Sequence, residues 1–221
     1  MSLAPRIWQQ SRKGRALDMV DPSSGQVDFS EIADALSLIN RYVGASDVAV
    51  SVANHTLIAD RAAQMAGATP RERALVLLHD AKETRIGDKS TPTKQAEYAI
   101  AREMFGLPGE DIVRQVMAEL EHRHDAALYA AAGIAPPSAA EHAFVKRCDI
   151  TALVTERRDF LARPPMPWAA EVEAVPPLKT RQRLLPPARA AIELHELFLA
   201  FLPGARAQSA RAVSQSERVC A

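Results

Sequence analysis

The chain has 221 residues, of which 48% are hydrophobic and 24% are charged. These proportions are those of an ordinary globular protein, so the sequence can form a hydrophobic core without disulfides or a structural metal. The 27 basic and 27 acidic side chains give a formal net charge of zero. We therefore expect no large basic surface of the kind that binds polymeric nucleic acid.

Cysteine usage and hydropathy limit the cellular compartment. The two cysteines, Cys148 and Cys220, form neither a metal-binding pair nor a redox pair in the sequence, which is typical of a reducing compartment. No apolar run follows the basic residues near the N-terminus, and no stretch of about 18 apolar residues occurs. These features predict a cytoplasmic protein that is neither secreted nor inserted in a membrane.

Helical periodicity dominates the sequence and predicts an all-α protein with one domain. Residues 1–27 are rich in turn-forming residues and are predicted to be loop, with one short extended piece around residues 17–20. The predicted domain covers residues 28–203. The small and polar residues 204–221 are predicted to be a disordered tail.

Capping signals predict where the helices begin and end. Asp28, with Glu31 three residues later, resembles a capping box and begins a helix that ends near Gly44. This helix would place Arg41 and Tyr42 in its last turn. Further helices are predicted at about 48–66, from 70 to between 83 and 87, at 92–105, 108–132, 136–162 and 179–201, the last two separated by a proline-rich connection.

Four metal-binding side chains occupy predicted helices. His79 and Asp80 directly follow five apolar residues of a buried helix, where an unpaired ionisable pair would be costly. His55, midway along the preceding helix, and Asp149, after an apolar-leaning segment, are candidate partners. Two imidazoles and two carboxylates form a mixed nitrogen and oxygen set that suits a divalent transition ion and leaves positions for water and a substrate oxygen.

Five sequence blocks surround these ligands, at residues 38–42 (LINRY), 51–55 (SVANH), 77–83 (LLHDAKE), 87–94 (GDKSTPTK) and 145–149 (VKRCD). Together they resemble the HD superfamily of metal-dependent phosphohydrolases, in the order seen in its bacterial 5′-deoxynucleotidase branch. Residues 14–22 are more similar to a related branch that includes phage dATP triphosphohydrolases. The resemblance implies a compact helical bundle with a central metal, which would be Mn, Co, Zn, Fe or Mg, bound by His55, His79, Asp80 and Asp149.

The resemblance also implies catalytic roles for two carboxylates. Glu83 would protonate the leaving oxygen or stabilise water, and Asp88 would help to position the attacking water. Independently, Glu83 lies four residues after His79 and three after Asp80, so the three side chains can share one side of a helix end. A divalent ion beside them lowers the pKa of water and polarises a phosphoryl oxygen.

Three basic residues are predicted to face the phosphate, namely Arg41, Lys94 and Lys89. In the resemblance, Arg41 contacts phosphate, and Tyr42 packs against the sugar and disfavours a 2′-hydroxyl. Three positions depart from the family pattern. Tryptophan is usual in place of Tyr42, Glu or Gln in place of Asn54, and an apolar residue in place of Lys89.

A second His-Asp dipeptide, His124-Asp125, follows a charged stretch and is interpreted as part of a solvated helix face. It serves as an internal comparison for His79-Asp80. The sequence thus contains the same pair of residues in an apolar context and in a charged one.

Three functions remain open. The first is hydrolysis of the 5′ phosphoester bond of a small nucleotide, a deoxyribonucleoside 5′-monophosphate, which releases nucleoside and phosphate; block 38–42 favours it. The second is hydrolysis of a deoxynucleoside triphosphate at the same bond, which releases triphosphate; the longer N-terminal segment and Lys89 favour it. The third is a non-catalytic nucleotide-binding regulatory module, against which Glu83 and Asp88 argue. Relatives in this branch form homo-oligomers, so a second copy of the chain is an expected partner.

Overall fold

The computed structural model describes the backbone of residues 7–219 and the side chains of residues 7–215. This part of the chain is mostly helical, as predicted, and within it no helix combines the length and apolar character needed to cross a membrane. The helices are α1 (Phe29–Leu36), α2 (Val52–Met65), α3 (Pro70–Leu78), α4 (Glu83–Ile86), α5 (Thr91–Ala132), α6 (Ala139–Phe160), α7 (Ala170–Glu173), α8 (Pro187–Phe201) and α9 (Pro203–Val219).

Helix α2 lies at the centre and packs against α1, α3, α6 and α8. On one side, Phe29 of α1 meets Phe198 of α8 edge to face, with ring centroids 5.6 Å apart. On the other side, Ile58 of α2 and Val76 of α3 pack with residues of α6. Residues 51–60 are buried throughout, so polar side chains in this part of α2 need partners inside the protein.

Helix α3 ends where the predicted metal ligands begin. Thr69 caps its N-terminus in a capping box, and Pro70 occupies the first turn. The helix therefore begins at the predicted residue. The apolar residues 74–78 are buried, and the helix ends at Leu78. A turn at residues 79–82 then leads into α4. The end of a buried helix thereby delivers His79 and Asp80 to the interior.

Helix α5 reverses direction at Gly106, whose φ of 72° and ψ of −171° interrupt the helix. The two halves, residues 91–105 and 107–132, correspond to two separately predicted helices. Lys94 of the first half donates to Glu121 of the second at 2.8 Å, which shows that the halves run side by side. We call this element the α5 hairpin.

The first predicted helix is too long. Helix α1 ends at Leu36, and Arg41–Gly44 form a separate 3₁₀ turn. Tyr42 and Val43 have φ values of 59° and 53°, in a left-handed region that costs a residue other than glycine about 1–2 kcal/mol. The prediction that Arg41 and Tyr42 lie in a last helical turn is therefore wrong, because both lie on the loop between α1 and α2.

The N-terminal segment contains two short strands, β1 (Trp8–Gln10) and β2 (Ala16–Asp18), which pair antiparallel. The predicted extended piece overlaps β2, whereas β1 was not expected. Glu31 of α1 holds the turn of this N-terminal hairpin, since its carboxylate accepts from Ser11 Oγ at 2.8 Å and pairs with Arg15. Residues 1–6 of the predicted loop lie outside the described residues.

The predicted disorder of residues 204–221 is wrong for the described part of that segment, which forms α9. This helix is rich in alanine, a strong helix former, and packs against α8 and the α5 hairpin. Gln208 Nε2 donates to Val27 O at 3.1 Å, and a Cβ at Gly204 would lie 1.8 Å from Ala131 O. Residues 220–221 lie outside the described residues.

Helix α8 begins at Pro187, later than the predicted 179, because adjacent prolines set its first turn. The residues before it pass along α2 without regular structure. There Leu185 N donates to Asn54 Oδ1 at 2.8 Å, and Asn54 Nδ2 donates back to Leu185 O at 3.0 Å. Asn54 stands where the family that the sequence resembles usually has Glu or Gln. Its two hydrogen bonds hold this segment beside His55.

Candidate metal centre

The structure brings His55, His79 and Asp80 together, with ligand atoms that all lie within 4.8 Å of one another, and places Asp149 next to this group through His55. His55 comes from α2, His79 and Asp80 from the turn after α3, and Asp149 from α6. His55 Nε2 lies 3.3 Å from His79 Nε2, 3.2 Å from Asp149 Oδ1 and 3.6 Å from Asp80 Oδ2. Asp80 Oδ2 in turn lies 3.1 Å from His79 Nε2. We call these four residues the ligand cluster.

These separations fit a small divalent ion. Metal–ligand bonds of about 2.1 Å place neighbouring ligand atoms about 3.0–3.4 Å apart in octahedral or tetrahedral geometry. The observed separations run from 3.1 to 3.6 Å. The two imidazole nitrogens and the Asp80 oxygen repel one another unless a proton or a metal ion lies among them, and Asp149, next to His55, also pairs with Lys146 at 2.8 Å. The donor set favours a first-row transition ion, although it does not distinguish among them.

Each imidazole is oriented by a partner on its far side. His55 Nδ1 lies 2.9 Å from Glu156 Oε1, and His79 Nδ1 lies 2.6 Å from Val76 O. A carboxylate and a carbonyl only accept, so Nδ1 must be the donor in both rings. Both Nε2 atoms therefore point at the cluster, and their lone pairs are available to a metal once any proton there has left.

The charges of the cluster are strongly coupled. Burial and Arg41 alone would lower the pKa of His55, but Glu156 and Asp149 outweigh them and raise it to about 10. Burial alone would raise the pKa of Asp80, but His79 and His55 hold it below its usual value. The carboxylate is thus ionised at neutral pH, and a metal ion bound here would have to displace the proton of His55.

Glu83 and Asp88 flank the cluster. Burial, Asp80 and Asp88 raise the pKa of Glu83 to about 9, and the positive charges of Arg41 and His55 oppose this rise. Glu83 Oε2 is buried and has no hydrogen-bond partner among the described residues. Burial also raises the pKa of the half-buried Asp88. Glu83 is therefore a buried carboxyl that holds its proton more strongly than usual, with one oxygen available to a water or a substrate.

Arg41 and Tyr42 reach the cluster from the 3₁₀ turn. The buried guanidinium of Arg41 places Nη1 3.5 Å from Asp80 Oδ2 and Nε 3.3 Å from Glu156 Oε2. The Tyr42 hydroxyl donates to the same Glu156 oxygen, and burial followed by the Glu156 charge raises its pKa. Arg41 thus adjoins the ligand cluster directly, and Tyr42 is linked to it through Glu156.

The other two predicted phosphate ligands lie in a different setting. Lys89 Nζ pairs with Glu97, and Lys94 Nζ pairs with Glu121, each at 2.8 Å. In the described part of the chain, neither ammonium makes a hydrogen bond or an ion pair with the ligand cluster. Lys94 instead links the two halves of the α5 hairpin, and Lys89 links the residues just before the hairpin to its first half.

Sequence reasoning missed Glu156, the fully buried acceptor for His55. Its position carried a signal, because it lies seven residues after Asp149, two turns along the same helix face. A glutamate on the face that carries a candidate metal ligand, just beyond the apolar residues 152–154, indicates a buried carboxylate that needs donors.

The environment of the second His-Asp dipeptide, His124-Asp125, also differs from the predicted one. His124 is only 2% exposed, and its Nε2 lies 3.2 Å from Met19 O of the N-terminal hairpin. Asp125 pairs with Lys82 at 3.2 Å. The interpretation of a solvated face is therefore wrong. The pair fastens the α5 hairpin to its neighbours and takes no part in the ligand cluster.

Comparison with known proteins gives limited guidance. No protein-family model matches the chain. An uncharacterized protein of Rhodobacter capsulatus is 39% identical over 95 residues, which make up 41% of this chain and 48% of the relative. The chain therefore spans about half the length of the curated relative that it matches. The name of that relative gives no activity, so a function has to be inferred from the site.

Proposed function

We propose that the chain is a metal-dependent phosphohydrolase with an HD-type ligand set, acting on a deoxyribonucleoside 5′-monophosphate and releasing nucleoside and phosphate. One observation carries this proposal, namely that His55, His79 and Asp80 converge, with Asp149 next to His55, beside the buried Arg41 and close enough to Glu83 for Asp80 to raise its pKa. Metal ligands, a proton donor and a phosphate-binding cation are the parts that phosphoester hydrolysis needs.

The residues divide the reaction among them. A divalent ion, when bound, polarises a phosphoryl oxygen and lowers the pKa of water. Arg41 binds the non-bridging phosphate oxygens and neutralises part of their charge. Asp88 accepts a hydrogen bond from the attacking water. As the water oxygen bonds to phosphorus and the bond from phosphorus to the 5′ oxygen breaks, Glu83 gives its proton to that leaving oxygen.

The distribution of cations favours a monophosphate over a triphosphate. Each additional phosphate brings negative charge that a binding site has to neutralise. Of the predicted phosphate ligands, only Arg41 adjoins the cluster, whereas Lys89 and Lys94 are neutralised by Glu97 and Glu121. Triphosphate hydrolysis would require both lysines to leave these partners.

The site also argues against a purely structural metal. A structural site is closed by its ligands and needs no neighbouring acid. Glu83 Oε2 is buried and unpartnered among the described residues, and such an atom costs stability unless it serves another molecule. This favours catalysis over a regulatory module.

Product release tests the proposal directly. The purified protein, loaded in turn with Mn, Co, Mg and Zn, is assayed for phosphate and triphosphate release from nucleoside mono- and triphosphates. We expect phosphate from a deoxynucleoside monophosphate, and equal activity in His142→Ala, whose imidazole is exposed on α6. Triphosphate release would favour the alternative reaction. No release from any nucleotide with any metal would overturn the enzymatic proposal.

A second copy of the chain is the partner that we propose for the α5 hairpin. Ile112, Val116 and Leu120 recur every four residues and form an exposed apolar line along its second half. Packing this line against the same line of another copy would give an interface that closes on itself. Light scattering should give twice the chain mass of 24.0 kDa. Ile112→Asp with Val116→Asp should give one chain mass, and Ile192→Asp, exposed on α8, should not.

A further inference from the structure

Glu156 is a carboxylate with no access to solvent, on the face of α6 that also carries Asp149. An isolated charge at such a position would be very costly, so its donors must compensate the lost hydration. Burial alone would raise the pKa of Glu156, but His55 and Arg41 hold it below its usual value. The group is therefore an ionised acceptor inside the protein.

Two hydrogen-bond donors and one ion-pair partner, from two different elements, share this carboxylate. His55 Nδ1 lies 2.9 Å from Oε1. At Oε2, the Tyr42 hydroxyl donates a hydrogen bond and Arg41 Nε lies 3.3 Å away. One oxygen thus serves a metal ligand, and the other serves the loop that carries the predicted phosphate and sugar contacts.

The two histidines of the cluster differ in what orients them. His79 is held by Val76 O, a backbone carbonyl at the end of α3, whereas His55 depends on the Glu156 side chain. Removing the carboxylate would free the His55 ring to rotate or to change tautomer, so that Nε2 no longer points at the cluster. Partners of this kind typically contribute 10–100-fold to metal affinity.

The Arg41–Gly44 turn is strained and depends on the same carboxylate. Tyr42 and Val43 adopt left-handed backbone conformations, which persist only where surrounding contacts hold them. Two backbone hydrogen bonds, Arg41 N to Val50 O at 2.8 Å and Ala45 N to Tyr42 O at 2.9 Å, hold the ends of the turn. The Tyr42–Glu156 hydrogen bond is its side-chain tie to α6.

We infer that Glu156 is a positioning residue that orients His55 for metal binding and, through Tyr42 and Arg41, couples the Arg41–Gly44 turn to the metal centre. This inference rests on the metal site of the proposed function, although it does not depend on the reaction. Its consequence is that a change at Tyr42, which makes no contact with a metal ligand in the described hydrogen bonds, weakens metal binding.

Metal affinity without substrate tests the inference. Co²⁺ binding to the metal-free full chain is measured by calorimetry and by the visible absorption of the bound ion. Glu156→Gln keeps the shape but replaces the charged acceptor of two hydrogen bonds and one ion pair by a neutral amide, so we expect affinity to fall about 10–100-fold and the absorption spectrum to change. Tyr42→Phe removes one hydrogen bond to Glu156, and we expect a fall of a few-fold, in the same direction.

Asp60→Asn provides the matched control. Asp60 is also buried, lies on α2 five residues after His55, and accepts from Arg73 Nε and Nη2 at 2.8 and 2.7 Å. This variant should lose stability yet keep the Co²⁺ affinity of the natural chain. An equal loss in Asp60→Asn and Glu156→Gln would mean general loosening and would overturn the inference.

The remaining outcomes separate the possible failures. Unchanged Co²⁺ affinity in Glu156→Gln would overturn the orienting role. Unchanged affinity in Tyr42→Phe would overturn the coupling to the turn, and this variant decides that point even if Glu156→Gln fails to fold. A natural chain that binds no metal at all would instead refute the proposed function.

Discussion

The two His-Asp dipeptides have the same composition and opposite roles. His79-Asp80 follows a buried helix and faces two further ligands, so its side chains converge with His55 and Asp149. His124-Asp125 lies within the α5 hairpin, where one side chain meets a backbone carbonyl and the other a lysine. Both pairs have partners, but only the first lies among other side chains that can bind a metal. A candidate metal site is therefore distinguished by its neighbours rather than by the dipeptide.

The largest expected effect comes from removing one aspartate of each pair. Asp80→Ala should abolish metal retention and reduce phosphate release to the uncatalysed background, because a ligand and its charge are lost. Asp125→Ala should retain the metal and most of the activity. The measurements are the metal content and the product release of both variants. Equal losses of metal and activity in the two variants would contradict the difference in role between the dipeptides.

Glu83→Gln should produce the next largest effect. The amide cannot donate an acidic proton, so we expect turnover to fall about 10²–10⁴-fold. Metal content should remain, because Glu83 is not among the four clustered ligands. The measurement is turnover together with metal analysis. Loss of the ion in parallel with turnover would make Glu83 a ligand instead of a proton donor.

His124→Ala should affect stability and leave the metal site intact. The variant removes a buried ring and leaves Met19 O without its donor, so we expect the free energy of unfolding to fall by about 1–3 kcal/mol. Denaturant unfolding measures this change, and metal analysis of the same sample provides the contrast. Loss of metal from a folded His124→Ala would contradict a purely structural role.

The smallest expected effect is a pH dependence of stability. Burial and Arg85 lower the pKa of His124, so the unfolded chain binds this proton more readily than the folded protein. The stabilising contribution is complete above the unfolded pKa of about 6.5 and is lost as the pH falls through the folded pKa. Unfolding at pH 7.5 and 5.5 should show a smaller decrease in His124→Gln than in the natural chain. Equal decreases would contradict this assignment.

Much of the site could be predicted from the sequence because metal ligands are few in kind and appear at recognisable positions. His79-Asp80 can be recognised as a candidate because it directly follows an apolar run. The resemblance to a known family indicates His55 and Asp149 as the other two candidate ligands. Glu156 escaped prediction since a single glutamate near arginines also fits a solvated helix face. Only the packing of the folded chain shows that Glu156 is buried.

The errors in the fold have similar causes. The turn at Arg41–Gly44 carries left-handed residues that are not glycine, so neither composition nor periodicity indicates it. Helix α9 looks disordered because it is polar and arginine-rich, and only its contacts with α8 and the α5 hairpin explain its order. Lys94 pairs with Glu121 on the facing half of the α5 hairpin, and Lys89 pairs with Glu97 eight residues along the chain, a spacing that helical periodicity does not single out.

The different supports of the two cluster histidines imply different tolerance to genetic change. Every residue type has a backbone carbonyl like the one that holds His79, so apolar exchange at position 76 that preserves the helix and its packing can leave the ring in place. The orientation of His55, in contrast, depends on one particular side chain, the carboxylate of Glu156. Across homologous chains we expect position 76 to drift among apolar residues, while position 156 changes only together with Tyr42 or Arg41.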